Sequence, residues 1–180
     1  MGEVIWHGRG GQGVVVASSI LGTALALYEG RHAMCMSSFG GQRRDAPLFS
    51  ITRFSENPIR NRSLSSDPDY VVILDDSLTS AVMEKVDNKK ARHILINSRK
   101  SAADLGLTEW PNLTIVDADA IATEVLKRPA ANTVMLGVVA AATGLAQLDS
   151  VKKATADVFG SESSQKNAAA VEAGFTSVRS

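Results

Sequence analysis

A single cysteine, Cys35, stands in this chain of 180 residues. One thiol builds no disulfide framework, no iron–sulfur cluster and no cysteine-based zinc site, so a reducing, cytoplasmic setting is expected. The N-terminus carries Glu3 and lacks a cationic stretch leading into an apolar run, so no secretory signal is expected. Long hydrophobic runs are missing too. The longest, Val134–Ala142, is interrupted by Gly137 and is far too short to span a bilayer, so no membrane is expected as a partner. There is no net charge either: 19 basic residues balance 19 acidic ones, which leaves no global field pointing to nucleic acid. Repeats, low-complexity tracts and a clear linker are absent, and the length suits one domain over residues 1–180. Lysine is missing from the first 84 residues, which hold seven arginines; lysines begin at Lys85. The arginine fork suits carboxylates, phosphates and protein interfaces, which places the expected working surface in the N-terminal half.

What is present begins at residue 4. VIWHGRGGQG runs into VVVASSILGTALALYEG, a short strand, a glycine-rich turn and a long helix. Gly8, Gly10 and Gly13 satisfy the spacing G-x-G-x-x-G, with Gly11 as a fourth glycine. Glycine reaches backbone angles that other residues resist and lets a ligand approach the main chain. The first turn of the following helix offers unpaired N–H groups and a positive dipole end, which suit an anion. Two readings stay open: a phosphate-bearing ligand on the loop, or glycines that only allow close packing of strand and helix.

Apolar patterning predicts strands at 3–7, near 31–36, at 47–54 (PLFSITRF, alternating), 70–76, 92–97 and 112–116. Helices are expected at 12–28, 77–87 and 118–127, the last capped by Asp117. Another is expected from Asn132, as its cap, to about 145, with two more near 150–158 and 161–174. Residues 37–46 read as a loop, and 55–69 as the longest surface loop. Strands alternating with helices predict an α/β fold, a Rossmann-like three-layer arrangement with a mostly parallel sheet.

An NAD site of the usual kind needs an acid at the end of the second strand to hold the ribose. Ser37 and Ser38 stand there instead, so a free-standing NAD dehydrogenase loses ground while a phosphorylated nucleotide stays open. SSFGGQRRDAP (37–47) cannot be a buried strand, because two unpaired buried guanidinium groups are very costly. It reads as a loop presenting Arg43 and Arg44 to an anion or a partner subunit. Asp75 and Asp76 end an apolar strand, where acids meet ligands in α/β crevices, but they also precede a helix, and capping is the reading taken. His7 is expected to bond nearby backbone, and Cys35 to be a small core residue. His32 and His93 stand at strand starts without metal-ligand spacing. Gly137, Ala140, Ala141, Ala142 and Gly144 let their helix pack very closely. No Ser–His–Asp arrangement, Walker loop or CxxC stands out. GDG followed by paired asparagines, the thiamine-diphosphate signature, is also absent, so this chain is not expected to run difficult chemistry alone.

Taken together, GRGGQG (8–13), SFGGQRRDAP (38–47), PDYVVILDDSL (68–78), NTVMLG (132–137) and QKNAAAVEAGF (165–175) resemble the gamma subunit of 2-oxoacid:acceptor oxidoreductases. The blocks span nearly the whole chain in the family's order. The middle block departs from the commoner YGPE-R-RGG-P: Gly40, Gly41 and Gln42 fill the GPE positions, and Asp45 stands where a glycine is common.

The resemblance implies a subunit of an enzyme that decarboxylates a 2-oxoacid oxidatively to an acyl-CoA and CO2, passing electrons to ferredoxin or another acceptor. It implies partners: alpha and beta subunits holding thiamine diphosphate with Mg, and a ferredoxin-like subunit or domain holding 4Fe-4S clusters. It implies a contact with coenzyme A made by Gly8, Arg9, Gly10, Gly11, Gln12, Gly13, Ser38, Phe39, Gly40, Arg43 and Arg44, and no catalytic residue or metal ligand in this chain. Two other classes remain: a stand-alone nucleotide-binding oxidoreductase, and a purely structural subunit.

Overall fold

The structure, a computed structural model, describes residues 1–39, 46–61, 63, 68–86 and 90–179, with backbone alone at 39, 161 and 162. Its strands are β1 (Gly2–Arg9), β2 (His32–Phe39), β3 (Pro47–Ser55), β4 (Tyr70–Ile73), β5 (His93–Asn97) and β6 (Leu113–Val116). They form one sheet in the order β2-β3-β1-β4-β5-β6. β3 alone runs against the others, pairing antiparallel with β1 and β2, while β1, β4, β5 and β6 pair in parallel. The predicted α/β class and mostly parallel sheet are what the chain adopts.

The helices are α1 (Val14–Thr23), α2 (Thr79–Met83), α3 (Ala118–Leu126), α4 (Ala131–Thr143) and α5 (Leu148–Arg179). α1 continues as a π-helical turn, Ala24–Tyr28, closed by Glu29 N–H to the Ala24 carbonyl at 3.1 Å. The helix expected at 77–87 is shorter: a 3-10 turn at Asp76–Leu78 and then α2. Two helical stretches were expected in the C-terminal region, and Gly160, with φ 72 and ψ 175, breaks α5 into two.

Alternation assigns the faces. Val4 and Trp6 of β1 join Ile20, Leu21, Leu25 and the apolar wall of α4 in the larger core, whereas Ile5 joins Leu78, Val82 and Leu107 beneath the other face. β4 and β5 are buried on both faces, which explains their continuous apolar runs. Ile20, Leu21 and Leu25 are fully buried, each stabilising by about 2 kcal/mol. A polar thread crosses this core. Trp6 Nε1 donates to Thr52 Oγ1 at 3.2 Å, and Thr52 shares a 2.9 Å bond with Ser18 Oγ, tying α1 to β3.

α4 is buried along Asn132–Ala140 and crosses α5 at backbone contact. A Cβ at Gly137 would lie 1.8 Å from the Val171 carbonyl oxygen, and one at Gly174 2.1 Å from that of Val134. Beside β3, Arg53 is 1% exposed yet fully engaged: it donates to Glu3 Oε1 and to the carbonyls of Asn61 and Ser63.

Cys35 is not a core residue. It sits exposed on the outer strand β2, with its sulfur turned beneath to donate to the Ser18 carbonyl at 3.2 Å. Burial of that thiol raises its pKa despite the hydrogen bonds that oppose the shift.

Candidate functional site: the glycine loop at the carboxyl end of the sheet

The connection after β1 leads to β2 at one edge, and β3 then fills the gap between β2 and β1 before the chain crosses to β4 on the other side. The order therefore reverses at β1, and a crevice beyond the strand ends at such a reversal is where open α/β sheets place ligands. Residues 9–13 occupy that point. β2 runs parallel to β1, so its end and the start of β3 lie at the same edge: Arg9 is opposite Pro47, and Phe39 opposite Leu48. Gly10 N–H donates to the Ala46 carbonyl at 3.1 Å, joining the glycine loop to the end of the segment SSFGGQRRDAP (37–47). Ser38 and Phe39, expected in a loop, are the last residues of β2, because pairing with Phe49 and Leu48 continues the ladder through them. Gly40, Arg43 and Arg44 lie outside the described residues.

Within the loop the glycines divide. Gly8 and Gly13 are packing positions: a Cβ would meet Val14 Cγ2 at 2.6 Å in the first case and Asn132 Nδ2 at 2.4 Å in the second. Gly11, with φ 95, has no described residue within 4 Å of where a Cβ would lie. Gly13 serves as the N-cap of α1 with φ 76, and α1 has neither a side-chain cap nor an acid in its first turn. An anion would there face a helix N-terminus with no competing carboxylate on that turn.

Arg9 and Gln12 point to β4. Gln12 Oε1 accepts the Arg9 N–H at 2.7 Å, and Gln12 Nε2 donates to Asp75 Oδ2 at 2.9 Å. Arg9 Nε donates to the same oxygen at 3.1 Å, and Arg9 Nη2 to Ser77 Oγ at 2.9 Å. Asp75 also caps the 3-10 turn by accepting the Ser77 N–H. Burial opposes its ionisation, but the bonds from Ser77 and Gln12 and the Arg9 charge outweigh it and hold the carboxyl below its ordinary value. The capping reading of Asp75 holds. Its grip on the glycine loop is what sequence reasoning missed, and only its position at the end of a neighbouring strand hinted at it.

Beyond this clasp lies a crevice of about 410 Å³ lined by Gln12, Asp75, Asp76, Asn97, Ser98, Lys100 and Asp117. Its acids serve as ties and caps. Asp76 meets Lys100 at 3.2 Å and accepts from Ser98, while Asp117 meets Arg99 at 2.9 Å and caps α3 through the Ala120 N–H, as expected. Asn97 bridges the Leu74 carbonyl, Asp119 and the Ala118 N–H. Asn132 does not cap α4. Ala130 holds that position, and Asn132, one residue inside the helix, turns its amide to the Gly13 carbonyl at 3.4 Å.

His7, two residues before the end of β1, holds its ring 6.0 Å from that of Phe49. The ring's expected bond to nearby backbone is not found among the described residues, and burial, with the Lys85 charge adding, lowers its pKa to about 4. Among the described residues no group of three or more His, Cys, Asp or Glu side chains is arranged to hold a metal ion, and no helix is long and apolar enough to cross a membrane.

A Rossmann-like α/β chain with a glycine loop at its strand-order reversal is the class this geometry defines. Residues 3–177 match the family model for pyruvate ferredoxin/flavodoxin oxidoreductase. The common gamma subunit of the pyruvate and ketoisovalerate oxidoreductases of Pyrococcus furiosus is 42% identical over 176 residues, covering 96% of this chain and 95% of that one. The gamma subunit of the NADH-dependent phenylglyoxylate dehydrogenase of Aromatoleum evansii is 37% identical over 180 residues, covering 99% and 94%. The crystal structure of pyruvate oxidoreductase subunit PORC from Thermotoga maritima superposes with a TM-score of 0.83 at 29% identity, covering 97% of this chain and 95% of that one. The chain belongs to the pyruvate ferredoxin/flavodoxin oxidoreductase family.

Proposed function

We propose that this chain is the gamma subunit of a multi-subunit, thiamine-diphosphate-dependent 2-oxoacid:acceptor oxidoreductase of the cytoplasm. In that role it acts as one domain over residues 1–180, helping to hold coenzyme A and to assemble the complex. The observation that carries this reading is likeness to gamma subunits over nearly the full length of both chains. The complex would convert a 2-oxoacid and coenzyme A to an acyl-CoA and CO2, delivering the electron pair to ferredoxin or another acceptor. Thiamine diphosphate with Mg in alpha and beta partners, and 4Fe-4S clusters in a ferredoxin-like partner, supply the carbon and electron chemistry.

The glycine loop supports the coenzyme A assignment on physical grounds. The space that the described residues leave at Gly11, and the acid-free N-terminus of α1 without a side-chain cap, suit a pyrophosphate or phosphate. In this proposal Gly8 and Gly13 shape the loop, Arg9 and Gln12 stiffen it, and Ser38, Phe39 and Gly40 lead the chain toward Arg43 and Arg44, which meet a phosphate or a partner subunit. Relatives at similar identity serve enzymes named for pyruvate and ketoisovalerate and for phenylglyoxylate. Choice of the oxoacid is accordingly assigned to partner subunits.

Anaerobic purification of the chain from its native host tests the assignment. Larger chains that co-purify with thiamine diphosphate and iron are the expected result, and a lone monomer that binds a dinucleotide overturns it. In the intact complex, Arg43→Ala/Arg44→Ala is expected to weaken coenzyme A binding. Unchanged affinity would assign that pair to packing.

A further inference from the structure

We propose that Asp75 is the positioning residue of the glycine loop: from the neighbouring strand end it fixes the side chains of Arg9 and Gln12 and, through Gln12, the turn that meets the anionic end of coenzyme A. The inference rests on the coenzyme A reading above.

The two oxygens of this carboxylate have separate partners. Oδ1 accepts the Ser77 N–H at 3.1 Å and the Ser77 hydroxyl, which accounts for the cap. Oδ2 accepts from Gln12 Nε2 at 2.9 Å and from Arg9 Nε at 3.1 Å, both more than 60 residues away in sequence. Capping needs only the first set. The second set binds the loop, and it has a consequence for the backbone. With its amide nitrogen on Asp75, Gln12 presents its oxygen to the Arg9 N–H at 2.7 Å, and the Gln12 N–H closes the turn on the Arg9 carbonyl at 3.1 Å. The turn is therefore closed by one backbone bond and by a second bond from the Gln12 side chain, whose orientation Asp75 sets.

An ionised carboxylate is an acceptor at both oxygens, whereas an asparagine there would set a donor nitrogen against donors on one side. Asp75 also compensates the Arg9 charge within the protein; the two side chains are 31% and 19% exposed, so the pair lies at the rim of the crevice rather than in open solvent. The ligand then meets oriented N–H groups of a fixed turn at the start of α1, with no reorganisation of the loop needed on binding.

The test uses the assembled complex with Asp75→Asn, and with Ser77→Ala and Gln12→Ala as milder variants should the first fail to assemble. Amide exchange of residues 9–13 is read without coenzyme A, and KM is read separately for coenzyme A and for the oxoacid. The expected result is faster exchange in 9–13, a rise of about fivefold or more in KM for coenzyme A, and an oxoacid KM within about twofold. Asp75→Asn combined with Gln12→Ala should be little worse than either alone, because both act through one linkage. Unchanged exchange overturns the inference. Faster exchange with an unchanged KM for coenzyme A also overturns it, if Gly11→Ala or Arg43→Ala/Arg44→Ala does raise that KM. Should none of these variants move the coenzyme A KM, the coenzyme A reading itself falls, and the positioning role with it, while the exchange data still report the clasp.

Discussion

Glycines hold two regions of this molecule together in opposite ways. At the α4–α5 crossing, Gly137 and Gly174 let two backbones touch: the atoms in the way of a Cβ are carbonyl oxygens at 1.8 and 2.1 Å. In the glycine loop, the obstacles at Gly8 and Gly13 are side chains, and at Gly11 there is none among the described residues. Backbone in a packed helix has nowhere to go, whereas a side chain can change rotamer. The crossing is thus a fixed structural joint, and the loop is a surface shaped by side chains. A single residue type marks both, and the atom facing the missing Cβ separates them.

The sharpest break of this comparison is Gly137→Ala. It should cost about 3 kcal/mol in urea unfolding, with no rescue by trimming a neighbouring side chain, since the clash is with backbone. Gly13→Ala combines a positive φ with the Asn132 amide and should cost about 2 kcal/mol. Here Asn132→Ala in the same chain should recover part of the loss, which the same unfolding assay would reveal; no recovery would place Gly13 with Gly137.

Acid separates the regions again. The α4–α5 contacts at Val134, Gly137, Val171 and Gly174 carry no ionisable side chain, whereas His7 lies on the strand leading into the loop. Its folded pKa of about 4 lies below the ordinary value of 6.5, so the folded state binds less proton than the unfolded one between these limits. Stability from this residue is complete above pH 6.5 and falls as the pH drops toward 4, a loss of about 2 kcal/mol at pH 5. Unfolding at pH 7 and 5 should show a slope in the parent protein that His7→Gln reduces, with His93, whose pKa burial also lowers, contributing to what is left. Asp75 acts in a lower window. Its depressed pKa contributes stability above the ordinary aspartate value of about 4 that is lost as pH falls through the folded one.

The smallest stability effect is expected at Gly11. Alanine at φ 95 is strained but collides with no described residue, so the cost should be about 1 kcal/mol. The coenzyme A KM of the complex should nevertheless rise, which unfolding alone would not reveal.

Much of this was legible along the chain. Both faces of β4 and β5 are buried, so their strands read as unbroken apolar runs, and Asp117 caps α3 through a contact three residues away. Local interactions leave local signatures. Asn132 shows where that logic stops. It looks like a cap in sequence, but its amide serves Gly13, 119 residues earlier, and Ala130 takes the cap position. Asp75 is half legible for the same reason: the cap on Ser77 is local, while the bonds to Arg9 and Gln12 are not. Cys35 sits in an apolar run, but its strand is the edge of the sheet, and edge position is a property of the whole sheet.

The amino-acid sequence by itself determined the element types, the α/β class, the glycine turn before α1 and the family blocks, because periodicity, caps and turns depend on neighbours in the chain. Only the tertiary structure decided that β3 inserts antiparallel between β2 and β1, bringing Ala46 onto Gly10. The same assembly placed Asp75 beneath the loop and Asn132 against Gly13. Alternation in a strand specifies which face is buried but not which strand lies beside it, and that choice is made by the packing of the complete core.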